Sequence, residues 1–557
     1  MFQEFLKNNC NKIFWLNTIE KVIFHREFYH KCYIYTCKKN NSLQKNLTEP
    51  NMSRKDDFIK QINHGYVSNG ESIVLGGAIL DGEALANAKI KVPLKTLNRH
   101  GLIAGATGTG KTKTIQVLSE QLSSFGIPVL MMDIKGDFSG IAKEGEEKSF
   151  ITERHAKIDI PYKSASFPVE LLTLSEQNGV RLRSTISEFG PVLFSRILDL
   201  NDTQAGVVSV IFKYCDDNKM PLLDLKDIKK VINYITEEGK AEIEESYGKI
   251  STSTTGTILR KIIELEQQGA DLFFGEMSFD INDLLRIDEK GRGYINIIRL
   301  TDIQDKPKLF STFMLSLLAE IYTQMPEKGD SDQPELVIFI DEAHLIFKEA
   351  SKNLLEQIET IVKLIRSKGV GVYFVTQNPM DVPNGVLAQL GLKIQHALRA
   401  FTANDRQAIK QTADNYPTSE YYKTDEVLTS LGIGEALVTA LNEKGIPTPL
   451  AATMMRAPMS RMDVLTESEI QEINAKSKLV RKYSEIMDRE SAYEMLNKKI
   501  AVFEEDLTRQ QEEKASEKEE KQSGDTSAAV TKSVIKVLTS ATFIRGAFGV
   551  LSKLLRK

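Results

Sequence analysis

An α/β fold organised on a mainly parallel sheet is predicted by three stretches of the chain. Gly101–Ala104 is a short apolar run entering a glycine-rich turn. Ile115, Leu118, Leu122 and Phe125 then recur at helical spacing, Gly126 stops that helix, and residues 127–132 form the next apolar run. Leu336–Ile340 and residues 372–376 show little polar alternation, as strands buried on both faces do when helices cover a parallel sheet.

The turn after the first run reads Gly105, Ala106, Thr107, Gly108, Thr109, Gly110, Lys111, Thr112, followed by Lys113: G-x-x-x-x-G-K-T, the phosphate-binding loop of P-loop NTPases. Phosphate oxygens need several convergent N–H donors, and the three glycines let the backbone turn tightly enough to supply them. Lys111 is expected to reach the β- and γ-phosphates, Thr112 to hold Mg²⁺, and the helix that follows to point its positive end at the anion. A surface turn rich in Gly and Thr is the competing reading. The strand–loop–helix–strand context opposes it, so ATP and Mg²⁺ are the expected cofactors.

Asp341 and Glu342 end the run at Leu336–Ile340, where ligands bind in open α/β sheets. Asp341 is expected to hold Mg²⁺ through water and Glu342 to polarise the attacking water. Acids that merely favour a helix N-terminus are the alternative. Gln377 follows the run at 372–376, placed to sense a γ-phosphate or simply to form a turn ahead of Pro379.

The rest of the chain bounds the setting. Its 557 residues allow several domains, and 41% hydrophobic with 27% charged residues is ordinary for a globular protein. The net charge of −4 excludes a global basic excess, so a nucleic-acid partner would need a local patch. Among four cysteines only Cys215 lies beyond residue 37, which points to a reducing, cytoplasmic setting rather than a disulfide framework.

Residues 1–51 stand apart, with nine aromatics, three cysteines, and eight Lys/Arg against four Glu. They read as a non-native or disordered leader, with Met52 as the true start. His25, His30, Cys32 and Cys37 match no common zinc spacing, and no zinc is expected. Residues 52–98 suggest a small β-rich subdomain, 99–150 and 290–460 the nucleotide core, and 151–289 a mostly helical insertion. Residues 461–500 read as a helical extension and 501–530 as a charged linker. Residues 531–557 carry six Lys/Arg and no acid, with Val534, Leu538, Ala541, Ile544, Phe548, Leu551 and Leu555 on one helical stripe. Such a helix could bind a membrane surface, DNA or a protein, or dock on its own core.

Three segments together go beyond a generic phosphate loop: residues 98–112, residues 339–344 (Phe-Ile-Asp-Glu-Ala-His) and residues 366–377 (Arg-Ser-Lys-Gly-Val-Gly-Val-Tyr-Phe-Val-Thr-Gln). The chain thereby resembles the HerA/FtsK superfamily of hexameric DNA-pumping ATPases, in its bacterial HerA-like helicase-domain branch, from about residue 70 to 495. Arg545–Gly549 is similar to that branch's C-terminal end. The resemblance implies a RecA-like core, to which the helical insertion and helical C-terminal tail read from the residues are added, a homo-hexameric ring, ATP hydrolysis at subunit interfaces, and double-stranded DNA as partner. It also implies that Arg99 is offered to the neighbouring subunit's γ-phosphate and that Arg366 acts near the active site; a surface salt bridge is the plain alternative for each. The full N-terminal β-barrel of archaeal HerA proteins is not evident.

Overall fold

The computed structural model describes residues 53–522, apart from positions 305, 330, 349–351, 486 and 488. The expected leader and the basic stripe at 531–557 lie outside the described residues.

The chain opens with α1 (Arg54–Gly65), the hairpin β1 (Ser72–Leu80) and β2 (Glu83–Pro93), then β3 (Gly101–Ala104), α2 (Lys111–Ser124) and β4 (Val129–Asp133). Next come α3 (Ser149–Lys157), β5 (Val169–Thr173), β6 (Val180–Arg181), and helices α4 (Ile186–Ile197), α5 (Asp202–Asp217), α6 (Leu225–Thr236), α7 (Lys240–Tyr247) and α8 (Thr252–Gln267). The core resumes with β7 (Ile295–Arg299), α9 (Pro307–Gln324), β8 (Leu336–Ile340), α10 (His344–Lys348), α11 (Lys352–Ile365), β9 (Val370–Thr376), α12 (Asn384–Leu387) and β10 (Leu392–His396). It closes with α13 (Ala403–Asp414), α14 (Thr424–Ser430), β11 (Glu435–Thr439), β12 (Ala451–Met455), α15 (Glu467–Lys476), α16 (Lys478–Ser484) and α17 (Ala492–Gln522).

All twelve strands join one sheet in the order β2-β1-β12-β11-β10-β3-β9-β8-β4-β7-β5-β6. From β10 to β6 every pairing is parallel, and from β10 to β2 every pairing is antiparallel. Helices cover both faces, so successive residues of a central strand enter different cores. Leu336, Ile338 and Ile340 pack with the insertion helices, whereas Val337 and Phe339 pack on the side of α1 and α2. This two-sided burial is why the strand shows no polar alternation. Among the described residues, no helix is long and apolar enough to cross a membrane.

Three features go beyond the sequence reading. The β-rich segment at 52–98 joins the main sheet, because β1 pairs with β12 and extends it. Tyr66 fixes the approach by donating to the carbonyls of Val438 (3.0 Å) and Pro449 (2.7 Å). Within 151–289, β5 and β6 add two strands beyond β7. The acid in β5, Glu170, disguises the first of these, yet its buried carboxylate is held by Arg286 at 2.6 Å. Finally, α2 is not simply amphipathic. Its polar side is buried against residues 456–463, where Gln116 donates to Ser460 Oγ (2.7 Å) and Glu120 accepts from the Met459 and Ser460 amides at 2.7 and 2.9 Å.

The C-terminal helix is anchored at its first turn. Asp227 of α6, 1% exposed, accepts from Ser491 Oγ at 2.5 Å and from the Tyr493, Leu223 and Asp224 amides at 2.9, 2.7 and 3.1 Å. Leu496 is buried beside it, and residues 501–513 are exposed. Replacing Asp227 by Ala strands these donors, and should cost about 3 kcal/mol in denaturant unfolding. It should also raise protease cleavage around residue 490 more than a Glu494→Ala control does.

Candidate active site

The parallel strands bring their carboxyl ends to one edge of the sheet, and the candidate residues collect there. The phosphate loop leaves β3 and is tied from below: the Gly105 amide donates to the Thr376 carbonyl (3.3 Å) and the Ala106 amide to the Ala397 carbonyl (2.9 Å). Gly105 has φ +150°, and a Cβ there would sit 2.5 Å from His396 Cβ, so only glycine fits the approach. Lys111, 7% exposed, folds back over the loop and donates to the carbonyls of Gly105 (2.7 Å) and Ala106 (3.2 Å). Thr109 Oγ1 donates to the Ala106 carbonyl at 2.7 Å. Lys113 turns outward from the loop to the carbonyl of Met462. Gly108 and Thr107 form the open crest, where Thr107 Oγ1 lies 3.4 Å from Gln377 Oε1.

Across the loop stand three carboxylates. Asp341 and Glu342 follow β8, as expected, and are 6% and 5% exposed. Asp137 was not singled out in the sequence. It lies just beyond β4, accepting from Thr112 Oγ1 at 3.1 Å, while its Oδ1 is buried without a hydrogen bond. Asp133, the last residue of β4, builds this turn: its carboxylate accepts from the amides of Gly136 (2.7 Å), Asp137 (3.0 Å) and Phe138 (3.3 Å). The available signal was a buried run ending in Asp-Ile-Lys-Gly-Asp, which repeats the pattern of an apolar strand closed by acids.

Lys135 on the same turn forms an ion pair with Glu342, whose other oxygen lies 3.1 Å from His344 Nδ1. Glu342 itself has φ +48°, a conformation costly for a residue with a Cβ and found mainly where surroundings enforce it. Burial dominates the electrostatics. It pushes the Asp341 carboxyl up to about 7, against Lys135, which stabilises the ionised form. Burial, helped by the Asp137 charge, also raises Asp133 to about 6. The same desolvation lowers Lys111, reinforced by Lys135.

The two arginines are elsewhere. Arg99 closes a 3₁₀ turn (Leu94–Arg99) ahead of β3, and Arg366 opens one (Arg366–Lys368) ahead of β9. Both therefore sit at the amino ends of strands whose carboxyl ends carry the site, roughly 13 Å away along the four residues of β3 and farther along the longer β9. Arg99 packs against the turn after β11, where an added Cβ at Gly445 would lie 2.7 Å from its Nη1. The structure brings together Lys111, Thr112, Asp341, Glu342 and Gln377 at one edge of the sheet and places Arg99 and Arg366 at the other.

The donor set fits Mg²⁺ and a nucleotide triphosphate. A hydroxyl, two carboxylates and one buried carboxylate oxygen without a partner face a glycine-lined loop. Fold and site together define a RecA-like P-loop ATPase. Residues 79–546 match the Helicase HerA-like C-terminal family, and the chain belongs to that family. It is an ATP-hydrolysing enzyme.

The chain is similar to the DNA double-strand break repair helicase HerA of Sulfolobus acidocaldarius, 22% identical over 387 residues, covering 68% of this chain and 69% of that protein. The namesake from Saccharolobus solfataricus is 23% identical over 440 residues, covering 76% and 78%. Among solved structures, the bacterial conjugative coupling protein TrwBdeltaN70 aligns at a TM-score of 0.48 and 14% identity, over 73% of this chain and 95% of that one.

Because Asp341 has a folded pKa near 7 against an ordinary value near 4, the native state binds the extra proton between those values. Stability from this group is present at low pH and is lost as pH rises through 7. Asp341→Asn should therefore be more stable than the parent at pH 8, by on the order of 2 kcal/mol, with the gain shrinking toward pH 5. Thermal melts of the metal-free protein across that range check it.

Proposed function

We propose that this chain is a ring-forming motor, a homo-hexamer that couples ATP hydrolysis to movement along double-stranded DNA. The observation that carries the reading is the separation of Arg99 and Arg366 from their own phosphate loop. An arginine at the amino end of β3 cannot reach the site at its carboxyl end within one subunit, but a second copy docked edge to edge can receive it. The relatives named as DNA helicases supply the substrate class.

In this reading Lys111 and the loop amides hold the β- and γ-phosphates, and Thr112 and Asp341 hold the cation, with Asp137 beside them. Mg²⁺, when bound, neutralises charge developing on the transferred phosphoryl oxygens. Glu342 orients and deprotonates the attacking water, and Gln377 at the loop crest reads whether a γ-phosphate is present. Arg99 from the neighbour stabilises the transition state, a contribution worth roughly 10³–10⁵ in rate where such a finger operates. Arg366 acts from the same edge.

Lys111→Ala should lose nucleotide binding, whereas Glu342→Gln should still bind ATP and hydrolyse it at least 100-fold more slowly, on the scale of a missing general base. Arg99→Ala should bind ATP and turn it over poorly. Mixing the Arg99→Ala and Glu342→Gln proteins should restore partial activity, because some interfaces then combine an intact base with an intact finger. Mass measurement of the mixed assemblies verifies subunit exchange, and exchange without rescue would reject the trans arrangement.

For the substrate, double-stranded DNA should stimulate ATP turnover, and the stimulation should fall steeply between about 50 and 200 mM salt as counterions compete for phosphate contacts. Turnover indifferent to DNA at every salt concentration would reject DNA as the substrate.

A further inference from the structure

We infer that His396 is a positioning residue for the phosphate loop, holding its amide donors in place through Thr114. The inference rests on the nucleotide-binding reading alone and not on DNA.

His396 ends β10 and is 0% exposed. Its Nδ1 lies 2.9 Å from the Glu435 carbonyl oxygen. A carbonyl can only accept, so Nδ1 carries the proton, and the Nε2 lone pair is left to accept from another donor. That donor is Thr114 Oγ1, 2.9 Å away in the first turn of α2. The ring thus spans the gap between β11 and the helix whose amino end receives the phosphates.

The backbone around it closes the underside of the same loop. His396 forms the floor beneath Gly105, and its neighbour Ala397 accepts the Ala106 amide at 2.9 Å. On the far side the Gly434 amide donates to the Thr109 carbonyl at 2.9 Å, and a Cβ at Gly110 would lie 3.2 Å from Gly434 and 3.6 Å from His396 Cε1. Besides Thr376, the supports beneath residues 105–110 thus come from His396, from Ala397 and from the turn before β11. Burial holds the ring neutral, and the nearby Lys111 charge acts in the same direction, which suits an acceptor at Nε2.

Loop amides aimed at phosphate act equally in the ground and transition states. Loosening them should weaken ATP binding while leaving the chemical step nearly intact, raising KM with kcat little changed. A residue that only fills space would instead lower stability with KM unaltered.

Thr114→Val keeps the shape and removes the one hydroxyl, and His396→Phe keeps most of the volume and removes both bonds. Each should weaken ATP binding about tenfold, as expected when a buried polar partner is orphaned, with kcat within about twofold. Thr114→Ser should bind like the parent. Combining Thr114→Val with His396→Phe should cost no more than His396→Phe alone, since both break one linkage. Titration with a fluorescent ATP analogue, alongside steady-state kinetics and thermal melts, reads all of these. Parental affinity in Thr114→Val, or strictly additive losses in the double variant, would overturn the role. If His396→Phe does not fold, the Thr114→Val and Thr114→Ser pair decides the matter alone. An unmodified protein that binds no ATP would instead overturn the nucleotide reading itself.

Discussion

Negative charge must be kept ionisable at the tip of a dry strand, and much of the architecture answers that demand. Asp341 and Glu342 are nearly as buried as the apolar residues of β8 that lead to them. Carboxylates so placed lose hydration, and that loss favours the neutral acid. Lys135 offsets part of it, and the turn that presents Lys135 exists because Asp133 gathers three backbone amides. The left-handed backbone at Glu342 adds a second cost at the same point. Such sites are built at the expense of stability, and here the extensive cores on both faces of the sheet supply what the site withdraws.

Much of the fold was legible because it is written in unbroken apolar runs. β3, β4, β8 and β9 are buried on both faces, so their sequences announce themselves without alternation, and the loop glycines and Lys111 follow a pattern dictated by phosphate geometry. What escaped reading had a different physical basis. β5 carries Glu170, whose partner Arg286 lies 116 residues away in sequence, so its compatibility with a buried strand is a tertiary fact. The polar face of α2 resembles a solvent-facing surface until residues 456–463 close over it. Asp137 and His396 are single residues whose importance arises from strands that become neighbours only in the assembled sheet. Their local sequence marks a strand end and nothing more.

The positions of Arg99 and Arg366 illustrate how one edge of a sheet differs from the other. Strand direction puts the phosphate loop, the three carboxylates and Gln377 on one side, and the turns that begin β3 and β9 on the opposite side. In a parallel sheet these two edges cannot exchange roles, since each strand contributes the same end to the same side. A residue's side is thereby determined by whether it precedes or follows its strand. That rule separates the arginines from the loop more firmly than any single contact does.

A sheet of twelve strands ordinarily leaves two rows of unpaired backbone groups that would welcome a foreign strand. Here both margins are blunted. β6 contributes only two residues, and β2 turns Glu83, Asn87 and Lys91 outward while α1 lies across it. Short strands and edge charges are the usual protection against runaway strand addition. Fibrous aggregation by main-chain pairing is therefore discouraged, even though so large a sheet must pass through incomplete stages as it forms. Association of this chain with copies of itself is left to side chains, loops and helices, which can separate and rejoin without disturbing the hydrogen-bonded framework.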